Sequence, residues 1–345
     1  MGKVRAIRLN ADIFPVNAEE REWIKAAGID ELVELEDTSP EAIIHVSKDA
    51  DVLLVTVAKI GRDVISNLQK CKVICRYGVG TDKIDLEAAT ERGIIVVNVP
   101  DFCLNEMAEH TMALLLSLAR RLPDMNQKMI SGEWNTARLS AMENVSRIAG
   151  KKLGLIGFGN IAREVAKRAQ AFNMKIVDYH RNVNPEIEKS FGVEPVSLEK
   201  LLQESDYVVI LIPLSPQTRH LISERELKMM KKSAILINMA RGLIVDELAL
   251  ARALKEKWIA GAGIDVYGHL DVFKEPQGPV ESPFFGLENV ILTPHVGAIS
   301  LEAIHECPEK GIAEVRGILQ GIWPKNCVNP DVKPWFESRH IDRNT

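Results

Sequence analysis

Three residue types able to handle a small acid recur in loops that follow short apolar runs in the last third of the chain. They are Arg241 in Asn238-Met239-Ala240-Arg241-Gly242, Glu275 before Pro276, and His295 in Thr293-Pro294-His295-Val296-Gly297. A planar guanidinium can grip a carboxylate and an adjacent ketone at two points. An imidazole can pass one proton to or from an oxygen while a hydride moves. A carboxylate beside that imidazole would orient the ring and favour its charged form. The set suits interconversion of a 2-hydroxy acid and a 2-oxo acid. A lone arginine after a strand is more often a surface ion-pair partner, and a lone loop histidine is more often inert. Two such accidents at matching strand ends are the poorer account.

Such chemistry needs a hydride carrier. Residues 153–156 run into Gly157-Phe158-Gly159-Asn160-Ile161-Ala162 and then a helical pattern. This is a dinucleotide fingerprint with Ala in its third position. Gly157 allows the tight turn, Gly159 lets the backbone approach a pyrophosphate at the helix N-terminus, and Ala162 lets the helix pack closely. The next strand ends Asp178-Tyr179-His180-Arg181-Asn182. NAD enzymes place an acid at that end, for the ribose hydroxyls. Here His180 takes the place, Asp178 lies two residues early, and Arg181 suits a 2′-phosphate. NADP(H) is therefore expected over NAD(H), with Asp178 serving NAD as the other reading.

Elements to position these residues are legible. Strand-like runs at 3–9, 52–57, 72–77 and 94–99 alternate with helical patterns at 19–27 and 86–92. The alternation restarts at residue 153, with strands near 153–156, 175–179, 207–211, 234–238, 262–266 and 290–292. Ser223 with Glu226 reads as a capping box, and Asp246 as the cap of 247–257. The pattern predicts an α/β protein of two doubly wound parallel-sheet domains, a Rossmann coenzyme domain inserted into a flavodoxin-like substrate domain. Long helices at 105–121 and 301–319 mark the crossings. The expected boundaries are 1–104 with 302–345 for the substrate domain and 105–301 for the coenzyme domain. A cleft between two α/β domains commonly holds a small molecule.

With these residues in view, the chain resembles the D-isomer-specific 2-hydroxyacid dehydrogenase family, which includes phosphoglycerate and glycerate dehydrogenases. The resemblance spans nearly the whole chain, through Arg76-Tyr77-Gly78-Val79-Gly80-Thr81-Asp82-Lys83-Ile84-Asp85 and residues 157–162, 238–247 and 293–297. Asn98-Val99-Pro100-Asp101-Phe102-Cys103, with Ala108-Glu109-His110, is similar to the branch related to the C-terminal-binding proteins. The family resemblance implies an NAD(P)-dependent dehydrogenase acting on a CH–OH group. It gives Arg241 the substrate grip, makes His295 the acid of reduction and base of oxidation, and pairs it with Glu275. It implies that backbone N–H groups of Gly78, Val79 and Gly80 clasp the carboxylate. It places Asp265 at the nicotinamide carboxamide, and Pro213, Thr218 and Ala240 near the coenzyme. A homodimer through the dinucleotide-binding domain is expected, with Trp134 as a packing or subunit-contact residue. His110 reads as structural or cleft-lining.

Two departures matter. The family interval Asp-Val-Phe-x-x-Glu-Pro is broken: Asp265-Val266-Tyr267-Gly268-His269-Leu270 precedes Asp271-Val272-Phe273-Lys274-Glu275-Pro276, an insertion of about five residues. Glu275 keeps its spacing to His295, and Asp271 is its rival. Also, Val55-Thr56-Val57-Ala58-Lys59 has no arginine for a substrate phosphate. A glyoxylate/hydroxypyruvate-type reductase is the first reading. A formate or phosphite oxidiser, and a dinucleotide-sensing corepressor-like protein, are the alternatives.

Bulk properties narrow the rest. The 345 residues are 46% apolar and 26% charged, with net charge −5. No basic cluster suggests nucleic acid, and no apolar run suits a membrane. The five cysteines have no disulfide or zinc spacing, so no metal is expected and a reducing cytoplasm fits.

Overall fold

The computed structural model describes residues 3–181 and 184–341, with side chains described through residue 338. Residues up to Phe102 and from Ser300 onward form one compact unit, and Cys103–Ile299 forms the other. Both crossings fall two residues before the boundaries read from the sequence.

The first unit is built on five parallel strands: β1 (Arg5–Leu9), β2 (Glu31–Leu35), β3 (Val52–Val55), β4 (Val73–Arg76) and β5 (Ile95–Asn98). Their order, β2-β1-β3-β4-β5, is the flavodoxin-like one. β3, Val-Leu-Leu-Val, is buried at all four positions, as a strand covered by helices on both faces must be. β2 is absent from the sequence reading. It is an edge strand whose Glu31 and Glu34 interrupt the apolar run that marks the others. Asn17 caps the helix Ala18–Ala26 through Glu20 N at 2.8 Å, and Asp85 caps Leu86–Glu91. The helix Leu301–Leu319 starts at Ser300 and contains Pro308. Its Gly311 lies so near Tyr77 that a Cβ there would stand 2.8 Å from the ring.

The second unit has β6 (Lys152–Ile156), β7 (Lys175–Tyr179), β8 (Glu194–Pro195), β9 (Tyr207–Ile210), β10 (Ile235–Asn238), β11 (Gly261–Ile264) and β12 (Val290–Leu292). All pair in parallel in the order β12-β11-β10-β9-β6-β7-β8. Read from β6, this is the Rossmann order with one added strand. The two-residue β8 is too short to leave a periodic signal, so the sequence suggests six strands where there are seven. The helical pattern at 105–121 resolves into Leu104–Ala119 and a separate helix, Leu122–Ile130, with Arg121 left-handed between them. The capping box Ser223/Glu226 and the Asp246 cap are both present. No helix among the described residues is long and apolar enough to cross a membrane.

Candidate active site

Strand register brings the sequence motifs of the second unit to one edge. Ile156 pairs with Tyr179 and Ile210, Asn238 with Ile210 and Ile264, and Ile264 with Leu292. The segments that follow, carrying Gly157, His180, Arg241, Asp265 and His295, therefore leave the sheet at its carboxyl edge. The chain reverses its winding between β6 and β9, the place where open α/β sheets bind ligands.

The fingerprint loop is shaped for a pyrophosphate. Gly157 has φ +100°, and a Cβ there would stand 2.9 Å from Leu211 O. Gly159 has open space where a Cβ would be. It precedes the helix Asn160–Ala171 without a side-chain cap, while Phe158 and Ala162 are buried. Among the described residues, the N–H groups of Phe158, Gly159, Asn160, Ile161 and Ala162 donate to no protein acceptor. Orphan donors at a helix start attract an anion. Farther along the edge, Thr218 Oγ1 donates to Pro213 O at 2.8 Å and accepts from Ser215 N at 2.7 Å, which closes the turn after β9.

At the end of β7 the side chains take an arrangement that spacing alone does not reveal. Asp178 is fully buried, and its Oδ2 lies 2.7 Å from His180 Nδ1. His180 Nε2 lies 3.2 Å from Glu188 Oε1, which also accepts from Asn184 N. Both ring nitrogens of His180 therefore face carboxylates. Burial pushes the Asp178 carboxyl up to about 6, against the attraction of His180. His180 is thus occupied inside the protein, and Asp178 is withdrawn from the strand end. Arg181 is exposed there, and Asn182 lies outside the described residues.

Arg241 follows β10 on a turn held by the buried Asn238. Asn238 Nδ2 donates to Arg241 O at 3.0 Å and its Oδ1 accepts from Ala240 N. Arg241 Nη1 donates to Ala240 O at 2.7 Å, which orients the guanidinium. Gly242 abuts the backbone of Tyr267 and Gly268, leaving no room for a Cβ. After β12, His295 adopts φ +58°, a left-handed conformation that costs a non-glycine residue about 1 kcal/mol or more and persists only where its surroundings enforce it. Asp265, 1% exposed, enforces it. Its carboxylate accepts from Thr293 Oγ1 at 2.6 Å, Val296 N at 3.0 Å and Gly297 N at 2.9 Å, and so embraces the turn from both sides of His295.

In the first unit, the loop after β4 displays its amides. Gly78 O accepts from Val99 N at 3.1 Å, Val79 O from Asn98 Nδ2 at 2.7 Å, and Gly80 O from Arg76 Nε at 3.0 Å. Among the described residues, the three N–H groups of Gly78, Val79 and Gly80 donate to no protein acceptor. Gly78 has φ +136°, closed to a side chain by conformation and by Arg76. Successive N–H groups of this kind make an anion cradle. Behind the loop, the buried pair Arg8–Glu20 (3.3 Å) ties β1 to Thr56 and stacks on Tyr77 at 4.7 Å.

The model of the D-isomer specific 2-hydroxyacid dehydrogenase NAD-binding domain matches residues 112–297. This chain belongs to that family. The glyoxylate reductase of Thermococcus litoralis is 42% identical over 82% of this chain and 84% of its own. The D-3-phosphoglycerate dehydrogenase of Methanocaldococcus jannaschii is also 42% identical, over 84% of this chain, which spans 53% of that longer protein. The crystal structure of a glyoxylate reductase from Paecilomyes thermophila superposes with a TM-score of 0.81 at 31% identity, covering 95% of this chain and 99% of that one. The protein is an NAD(P)-dependent oxidoreductase acting on 2-hydroxy and 2-oxo acids.

The dehydrogenase carries its insertion between the Arg241 and His295 turns. His269 contacts Glu247 through Nδ1 and Ser282 Oγ through Nε2 at 3.0 Å, while Glu247 Oε1 accepts from Gly268 N at 2.7 Å. The start of the inserted loop is thereby pinned. Phe273 then packs on the His295 ring, centroids 5.1 Å apart. None of this was visible in the sequence, although the near-duplicated Asp-Val-aromatic motif marked the place. Glu275 is exposed and makes no ion pair or hydrogen bond among the described residues, so the structure does not bring it to His295. Asp271, its rival, spends Oδ1 on Phe273 N at 3.2 Å, closing its own turn. Trp134 is largely exposed and donates to Met129 O at 3.0 Å.

Proposed function

We propose that this dehydrogenase reduces a small unphosphorylated 2-oxo acid of the glyoxylate or hydroxypyruvate type to the D-2-hydroxy acid, with NADPH preferred. One observation carries the reading above others: the register that sets the Arg241 and His295 turns at one sheet edge beside the fingerprint loop. Arg241 grips the carboxylate and polarises the ketone, and the N–H groups of Gly78, Val79 and Gly80 bind the carboxylate. His295 delivers the proton to the new hydroxyl. Gly157 to Ala162 hold the pyrophosphate, and Pro213, Thr218, Ala240 and Asp265 flank the coenzyme. A bound nicotinamide coenzyme supplies the hydride. The absence of an arginine in residues 55–59 favours a substrate without a phosphate. Relatives named glyoxylate reductase support the same class. The test is NADPH absorbance with a panel of 2-oxo acids, alongside formate and phosphite with NAD(P)+. Coenzyme binding without turnover of any panel member would replace this reading with a sensor.

Glu275 is proposed as the partner of His295 once substrate is bound, since catalytic hydrogen bonds are often unformed in the free enzyme. Asp271 is already engaged. Reduction needs imidazolium, and a carboxylate partner favours it. Glu275→Gln is therefore expected to move the alkaline limit of reductive kcat/KM to lower pH, and Asp271→Asn to leave it in place. The reverse pattern in the two pH profiles would make Asp271 the partner.

A cytoplasmic homodimer completes the proposal. Leu122, Met129, Ile130, Trp134, Leu139 and Met142, on the helices Leu122–Ile130 and Trp134–Asn144, are each more than half exposed. Apolar surface gathered in this way marks an association site. Sedimentation equilibrium should give twice the chain mass, and a Trp134→Glu/Met142→Glu variant should give a single mass. A monomeric parent would remove the proposal.

A further inference from the structure

We propose that His110 is a positioning residue for His295, acting through Thr293 and Asp265. The proposal rests on the reading of His295 as the proton donor, and it concerns what keeps that residue in place.

His110 lies on the helix Leu104–Ala119, which packs directly on the sheet. β11 reads Gly-Ala-Gly-Ile, and a Cβ at Gly263 would stand 3.2 Å from Leu114 Cβ and 3.3 Å from Leu118 Cδ1. The missing side chains let the helix sit close, so its distance to Asp265, the residue after β11, is fixed by backbone and core packing. His110 Nε2 is 3.0 Å from Thr293 Oγ1 and 3.7 Å from Asp265 Oδ1.

Proton counting then assigns the roles. A threonine hydroxyl has one proton, and an ionised carboxylate only accepts. At 2.6 Å from Asp265 Oδ1, Thr293 gives its proton to Asp265. Toward His110 it can only accept, so the His110 hydrogen is on Nε2. This N–H fixes the rotation of the Thr293 hydroxyl, and the hydroxyl with Val296 N and Gly297 N holds Asp265 to the turn. Tyr267 adds a second grip by donating to Thr293 O at 2.9 Å. The chain of bonds runs from a rigid helix to the left-handed residue that carries the imidazole. Without the His110 donor, the Thr293 hydroxyl is free to turn away from Asp265, and one side of the clasp loosens.

The experiment compares His110→Phe, His110→Gln and Thr293→Val with the parent. The Gln amide keeps an N–H near the Nε2 position; Phe keeps the bulk alone. His110→Phe is expected to lower kcat about 10-fold, in line with supporting partners of other catalytic groups, with KM for the 2-oxo acid and for NADPH changed about twofold or less. Thr293→Val should reproduce it, and His110→Gln should recover most of the loss. Hydrogen exchange of the Val296 and Gly297 amides should quicken in His110→Phe and Thr293→Val, and not in His110→Gln. Equal losses in Phe and Gln, or unchanged exchange at Val296 and Gly297, would reduce His110 to packing. Should the parent turn over no 2-oxo acid while exchange quickens as described, the function reading falls and the positioning role stands.

Discussion

Arg241→Ala is expected to lower kcat/KM for glyoxylate by about 100-fold or more, the scale seen when one preorganised donor to a developing negative oxygen is removed. Two features of the structure support so large an effect. The guanidinium is oriented before substrate arrives, by its bond to Ala240 O, and its turn is held by the Asn238 side chain. Preorganisation of this kind acts on the transition state rather than on binding alone. The backbone hydrogen bonds of the turn do not depend on the Arg241 side chain beyond Cβ, so thermal stability should change little. Arg241→Lys separates charge from shape: an ammonium keeps the charge and loses the planar fork, so it should recover only part of the loss. Steady-state rates followed by NADPH absorbance decide the matter. Unchanged kinetics in Arg241→Ala would move the substrate site away from this edge.

The coenzyme substitution should be nearly as large. With the parent, kcat/KM should be higher for NADPH than for NADH, and Arg181→Asp should lower the NADPH value by about 10- to 100-fold, the loss of a charge-assisted hydrogen bond. NADH should be affected little or improve. The structure sharpens the reason. Asp178 occupies the strand where an acid could serve the ribose, yet it is buried and bound to His180, and Glu188 holds the other face of that ring. The ring engages one oxygen of each carboxylate, and Arg181 is the charged residue displayed after Tyr179. Parent kinetics equal or better with NADH would show that Asp178 leaves this arrangement to meet the ribose.

How much of this was legible before folding follows from the range of each interaction. Parallel strands covered on both faces read as short apolar runs, so β1, β3 to β7 and β9 to β12 stand out in the sequence, and the glycines of the fingerprint declare a backbone conformation that other residues avoid. The two-domain α/β architecture and the family are carried by such local signals. β2, with glutamates at an edge, and β8, two residues long, carry too little of that signal. The residue types at the proposed site, Arg241 and His295, were also determined locally, because each lies in a motif beside its strand. What surrounds them was not. The Asp178–His180–Glu188 cluster, the His269–Glu247 pin and the His110–Thr293–Asp265 chain join residues from separate elements, up to 183 positions apart in the last case. Sequence spacing within one element has a period; spacing between elements has none, since loop lengths vary freely. Only the packing of the Leu104–Ala119 helix against the glycines of β11, and the parallel register that aligns the strand ends, decide which side chains meet.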